Sequence, residues 1–153
     1  MNFKLILEGR ESCRRYDPAK RIPHQILQEI AEAGRMAPSA CNLQPWRFLF
    51  ISSAELLSKV KESYGSRWVD NAPHFLVVVG KRSAAWVRSD GYNSLETDLA
   101  IAMDHMILAA EALGIGTCWI AAFEEAKLRK ALSLRDDDEV FAITPLGYLP
   151  AGY

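Results

Sequence analysis

The sequence predicts an α+β fold of about four strands and five helices, ordered β-α-β-α-β-α-β behind two leading helices. Three observations carry that prediction. Apolar residues recur at helical spacing in five segments. Four shorter apolar or β-branched runs alternate with the later ones. Glycines, prolines and capping side chains mark most of the boundaries. No internal repeat, linker or low-complexity tract divides the 153 residues, a length that suits one domain over 1–153.

Residues 2–9 place Phe3, Ile6 and Leu7 at helical spacing, and Gly9 offers a C-terminal stop. A polar loop follows, with Asp17-Pro18 as a turn. Pro23 opens a helix whose apolar face is Ile26, Leu27, Ile30 and Ala31, with Gly34 near its end. Residues 47–52 read as a strand, and Ser53 can cap a helix running to residue 63. The unbroken apolar run 75–79 reads as a buried central strand. Residues 81–94 mix Trp86, Arg88, Asp90 and Gly91 and carry no clear pattern.

Asn93-Ser94-Leu95-Glu96 then has the residues of a capping box, amide first and acid three on. The helix over 95–113 carries Leu99, Met103, Met106, Ile107 and Leu113, and its alanines suggest contact on more than one side. Gly114 ends it. Residues 115–121 read as a strand and 124–132 as a short helix. A final strand over 140–148 contains Pro145, which favours an edge or a bulge.

Half the residues are hydrophobic and 24% are charged, so a real core is expected. A net charge of −1 supplies no field for a polyanion, which argues against nucleic acid as a partner. Cys13, Cys41 and Cys118 lack CxxC spacing, and reduced thiols in a cytoplasmic protein are expected. His24, His74 and His105 lie in no ligand motif, so no metal is expected. No apolar run is long enough to span a bilayer and the N-terminus lacks signal-peptide character, so no membrane partner is expected either.

Chemistry concentrates in three segments. In Arg10-Glu11-Ser12-Cys13-Arg14-Arg15-Tyr16, residues Arg10, Ser12 and Arg14 alternate. If the chain is extended there, two guanidiniums and a hydroxyl point the same way and suit a dianionic phosphate. By charge alone the segment equally reads as a solvated basic loop balanced by Glu8, Glu11 and Asp17. Ala37-Pro38-Ser39-Ala40-Cys41-Asn42-Leu43-Gln44-Pro45-Trp46-Arg47-Phe48 is a turn of small and amide side chains entering a hydrophobic strand. Gly114-Ile115-Gly116-Thr117-Cys118-Trp119-Ile120-Ala121-Ala122-Phe123 has two glycines that close a helix, so it is no dinucleotide fingerprint. Asp104-His105 is no acid–base pair, because neighbours on a helix do not face each other.

Together the three segments resemble the flavin-binding signature of the nitroreductase family, the FMN-dependent NAD(P)H oxidoreductases. The resemblance runs from Arg10 to Tyr148. It implies a mainly antiparallel central sheet flanked by helices, in a homodimer. It assigns FMN contacts to Arg10, Glu11, Ser12 and Arg14 at the phosphate. In the second segment, Ser39 and Asn42 become polar contacts to the ring bound mainly by the partner subunit, with Pro38 and Ala40 shaping the pocket. Gln44-Pro45-Trp46-Arg47-Phe48 is scaffold. Cys118, Trp119, Ile120, Ala121 and Ala122 pass along one flavin face and supply a backbone N–H near N5.

The implied activity passes hydride from NAD(P)H through flavin N5 to a nitroaromatic, quinone or similar small-molecule acceptor by a ping-pong scheme. No protein nucleophile and no metal are needed. Two other readings stay open: a flavin-binding sensor or carrier, and a degenerate dimeric scaffold. Family members usually continue into a basic tail, whereas no Lys or Arg follows Arg135 here. Arg15, Arg67 and Arg88 are the spare cations for the phosphate.

Overall fold

The computed structural model describes residues 2–153. Its strands are β1 (Trp46–Ile51), β2 (His74–Lys81), β3 (Gly116–Thr117) and β4 (Asp138–Gly147). They form one antiparallel sheet in the order β1-β2-β4-β3. The helices are α1 (Phe3–Gly9), α2 (His24–Arg35), α3 (Ala54–Tyr64), α4 (Leu95–Ala112) and α5 (Glu125–Ala131). The predicted order of strands and helices holds throughout.

Strand alternation sorts the core into two layers. Leu76, Val78, Ala142 and Leu146 face α2 and α4, where they meet Ile30, Leu99, Met103 and Met106. Phe75, Val77, Val79 and Ile143 face the opposite side, against Val60 of α3 and Leu128 of α5. Gly34 is what lets α2 approach the sheet and α4. A Cβ there would lie 2.8 Å from Met106 Sδ and from a Phe48 ring carbon.

Pro145 does not lie on an edge strand. β4 is interior, and the bulge lies between Val78 and Val79, where Phe141 is the extra residue. Proline is accommodated instead by a gap in the next ladder. Gly116 pairs with Gly147 and Thr117 with Leu146, while Ile120 rejoins β4 at Ile143 in unchanged register. That register sets Cys118 opposite Pro145, which has no N–H to offer. The Cys118 N–H turns to Thr144 Oγ1 (3.0 Å), and the Thr144 hydroxyl donates to Pro145 O (3.0 Å). A continuous strand over 115–121 is thereby reduced to two residues and a bridge.

Two caps also differ from expectation. Asn93 Oδ1 accepts the Leu95 N–H (3.0 Å), but Glu96 pairs with Arg82 at 3.0 Å and does not close a capping box. Ser53 occupies the N-cap of α3 without a side-chain bond. Gly9 is the last residue of α1 and not a left-handed stop: the helix ends where Arg10 turns extended (φ −61°, ψ 121°), and a Cβ on Gly9 would meet Glu111 Oε1 at 2.8 Å. The apolar residues of α1 stay outside: Phe3 is 61% exposed and Leu7 51%.

His74 ties the 17–23 loop to the sheet. Its Nε2 accepts the Ile22 N–H (3.1 Å), so the neutral ring carries its proton on Nδ1, which donates to Ser52 Oγ (2.7 Å). Burial, with the Arg21 charge adding to it, pushes its pKa down to about 4. In the unfolded chain the ring titrates near 6.5, so between those values the unfolded state binds more protons. Stability from His74 is therefore complete above pH 6.5 and is lost as pH falls towards 4. We expect denaturant titration at pH 5 to show about 1–2 kcal/mol less stability than at pH 7, attributable to this ring. A His74→Gln variant should flatten that part of the profile; an unchanged slope would refute the assignment.

Candidate functional site

Beyond α1 the chain runs extended, and Ser12 forms a parallel bridge with Thr117 of β3. The Cys13 N–H donates to Thr117 O at 2.8 Å. The 10–14 segment is thus tied to the edge of the sheet by one isolated bridge, which joins two of the three predicted segments. Within it only Cys13 is buried, so the full alternation expected of an extended strand is not seen. Arg10, Ser12 and Arg14 are exposed, whereas Cys13 is buried among the residues of the α3–α5 side. Glu11 is exposed as well.

Neither Arg10 nor Arg14 takes part in an ion pair among the described residues. The Arg14 guanidinium lies over the Trp68 ring at 6.0 Å and donates weakly to Ser12 O at 3.4 Å. Trp68 in turn stacks on buried Tyr16 at 6.5 Å, whose hydroxyl donates to Cys13 O (2.6 Å). Two unpaired guanidiniums and a hydroxyl on one exposed edge fit a phosphate. Of the spare cations, Arg88 is taken by Asp90 (2.8 Å), Arg15 lies over the Tyr153 ring (4.9 Å), and Arg67 precedes Trp68. Burial, reinforced by the Glu11 carboxylate, raises the pKa of the Cys13 thiol and keeps it from being a reactive thiolate.

The 118–122 segment continues from β3 along the same edge. Cys118 and Ile120 turn inward, each 4% exposed, and their N–H groups are taken by Thr144 Oγ1 and Ile143 O. Trp119, Ala121 and Ala122 are exposed. Their N–H groups find no protein acceptor among the described residues. These are the backbone donors this edge can offer. Trp119 packs edge-on against Phe141 at 5.6 Å.

The 38–42 loop lies elsewhere. Its Ala40 N–H donates to Asp98 Oδ1 (3.0 Å) in the first turn of α4. Gly9 abuts Glu111 near the other end of that helix. The two anchors are thirteen residue steps apart along the helix, a distance of about 20 Å at the usual rise. The loop and the end of α1 are thus held near opposite ends of α4.

The loop itself is tightly wound. Cys41, Asn42 and Gln44 have φ of 51°, 53° and 50°, a left-handed conformation that non-glycine residues seldom adopt. Gln44 closes it, donating its N–H to Ser39 Oγ (3.0 Å) and its side-chain amide to Asn42 Oδ1 (2.8 Å). Trp46, just beyond, is scaffold: it stacks on Phe48 at 5.9 Å against the α2–α4 core. Asp98 went unread in the sequence. An acid in a helix first turn is commonplace, and its partner is 58 residues away.

A model of the nitroreductase family matches residues 7–68 and 60–148. The chain belongs to the nitroreductase family. A solved nitroreductase family protein from Clostridium difficile 630 is 31% identical, with a TM-score of 0.90 over 97% of this chain and 85% of that one. An NADH dehydrogenase of Thermus thermophilus is 28% identical over 97% of this chain and 87% of its own length. An FMN-dependent nitroreductase from Clostridium difficile R20291, 24% identical, shares the fold at a TM-score of 0.82, covering 97% of this chain and 88% of that one. As in other family members, the sheet is central, antiparallel and flanked by helices. No helix among the described residues is long and apolar enough to cross a membrane.

Proposed function

We propose that this nitroreductase family chain is an FMN-dependent oxidoreductase that oxidises NAD(P)H and reduces a small-molecule acceptor, such as a nitroaromatic or a quinone. The observation that carries the reading is the exposed edge of Arg10, Ser12 and Arg14, whose guanidiniums no carboxylate pairs with among the described residues. Arg10 and Arg14 hold the cofactor phosphate by charge-assisted hydrogen bonds, with the Ser12 hydroxyl between them. Bound FMN supplies the hydride-transfer chemistry. The free N–H groups of Trp119, Ala121 and Ala122 provide donors that stabilise negative charge on the ring.

The whole chain acts as one flavin-binding domain, and the working unit is a homodimer. The 38–42 loop of one subunit, with Ser39 and Asn42, borders the ring whose phosphate sits on the other subunit's 10–14 segment. Reductant and acceptor occupy the same open site in turn.

Absorbance of the purified protein tests this directly. We expect a flavin spectrum, or one regained on adding FMN, that NADH or NADPH bleaches and an added quinone restores. Bound flavin that neither nucleotide bleaches would make the protein a carrier or sensor. Protein that binds no FMN at any concentration would leave only a dimeric scaffold.

A further inference from the structure

We propose that Asp98 is a positioning residue that holds the 38–42 loop in its working shape. This rests on the reading of that loop as a flavin contact. The carboxylate is 3% exposed, and both of its oxygens are engaged. Oδ1 accepts the Ala40 N–H at 3.0 Å and Oδ2 accepts the Ser94 hydroxyl at 2.8 Å. The rotamer is therefore fixed from two directions, and it sits in the first turn of α4, where the helix dipole favours negative charge.

The loop needs such a hold. Residues 38–44 include no buried side chain, so apolar packing does not anchor them. Their own hydrogen bonds close the turn internally: Asn42 N–H to Ser39 O (2.9 Å), Leu43 N–H to Ala40 O (3.2 Å) and the two Gln44 bonds. Such bonds shape the turn without fixing it to the body. Among the described residues, Asp98 is the one side chain outside the loop that hydrogen-bonds it. Three left-handed non-glycine residues persist only where the surroundings over-determine them. Without Asp98 the turn can relax or swing, and Ser39 and Asn42 lose their place.

Cys41 provides a reporter, because it lies in the loop and is exposed while Cys13 and Cys118 are buried. The experiment compares wild type, Asp98→Ala, Asp98→Asn and Ser94→Ala by FMN affinity from fluorescence quenching, Cys41 modification rate and thermal melting. Asp98→Ala is expected to raise the FMN dissociation constant roughly tenfold and to speed Cys41 modification several-fold. Asp98→Asn should restore both. Its Oδ1 still accepts the Ala40 N–H, and its amide can donate to Ser94 Oγ. Rescue by asparagine separates positioning from a mere loss of core stability.

Equal FMN affinity and equal Cys41 rate in Asp98→Ala and wild type would overturn the proposal, as would an Asn variant as impaired as the Ala one. If Asp98→Ala does not fold, Ser94→Ala decides: a faster Cys41 rate supports the hold, and an unchanged rate refutes it. Failure of the flavin reading looks different. FMN would then leave the wild-type Cys41 rate untouched, while the Asp98 variants still altered it.

Discussion

Replacing Arg14 with alanine is expected to weaken FMN binding by about 2–3 kcal/mol, the scale of losing charge-assisted hydrogen bonds to an anion. Its guanidinium is already placed. It lies over Trp68 and beside Ser12 O, and among the described residues no carboxylate pairs with it. Arg10 is exposed on the same extended segment and should show an effect of the same kind. Arg14→Lys should recover part of the loss, because an ammonium keeps the charge but not the planar fork. Since the segment is exposed, affinity should also fall as salt screens the pair over about 8–10 Å. Equilibrium titration of the apoprotein with FMN measures all of this. Unchanged affinity in both alanine variants would remove the phosphate from this edge.

In the proposed homodimer, separating the two subunits is expected to abolish stable FMN binding, a larger effect than any single side chain. The reason is geometric. The Asp98 anchor of the 38–42 loop and the Glu111 contact of Gly9 sit about 20 Å apart along α4, which supports the proposal that a second chain supplies the loop beside each ring. The surface has apolar residues to spare for such a contact: Phe3 and Leu5 are each 61% exposed, Met36 70% and Leu43 48%. α4 also leaves Ile101 and Leu108 half-buried beside its core-facing residues. Charged substitutions at Leu5 and Leu7 should shift the protein towards monomer and release flavin with the same concentration dependence. Sedimentation monitored at a flavin wavelength would show it. A monomer carrying stoichiometric FMN would refute a site shared between subunits.

Most of the helices and the central strand were legible in the sequence, because their signals are local. An apolar run such as 75–79, a helical period such as Leu99, Met103 and Met106, or a left-handed stop such as Gly114 (φ 72°) acts within a few residues. The alternation of Arg10, Ser12 and Arg14 is of the same kind, and so the resemblance to the nitroreductase family can be read before any fold is known. Tertiary structure decided whatever depends on partners far along the chain. Pro145 removes one N–H wherever it stands, but only the register of β3 against β4 showed that the missing bond faces Cys118 and that Thr144 fills in. The spacing of Phe3, Ile6 and Leu7 specifies a helix, yet whether its face is covered depends on what α1 meets, and within one chain much of it stays in water. Asp98 reads as an ordinary first-turn acid until the fold brings Ala40 to it. Propensity and periodicity are short-range and survive in a linear string. Hydrogen-bond partners, burial and the separation of two loops along a helix arise only when distant segments are brought together in space.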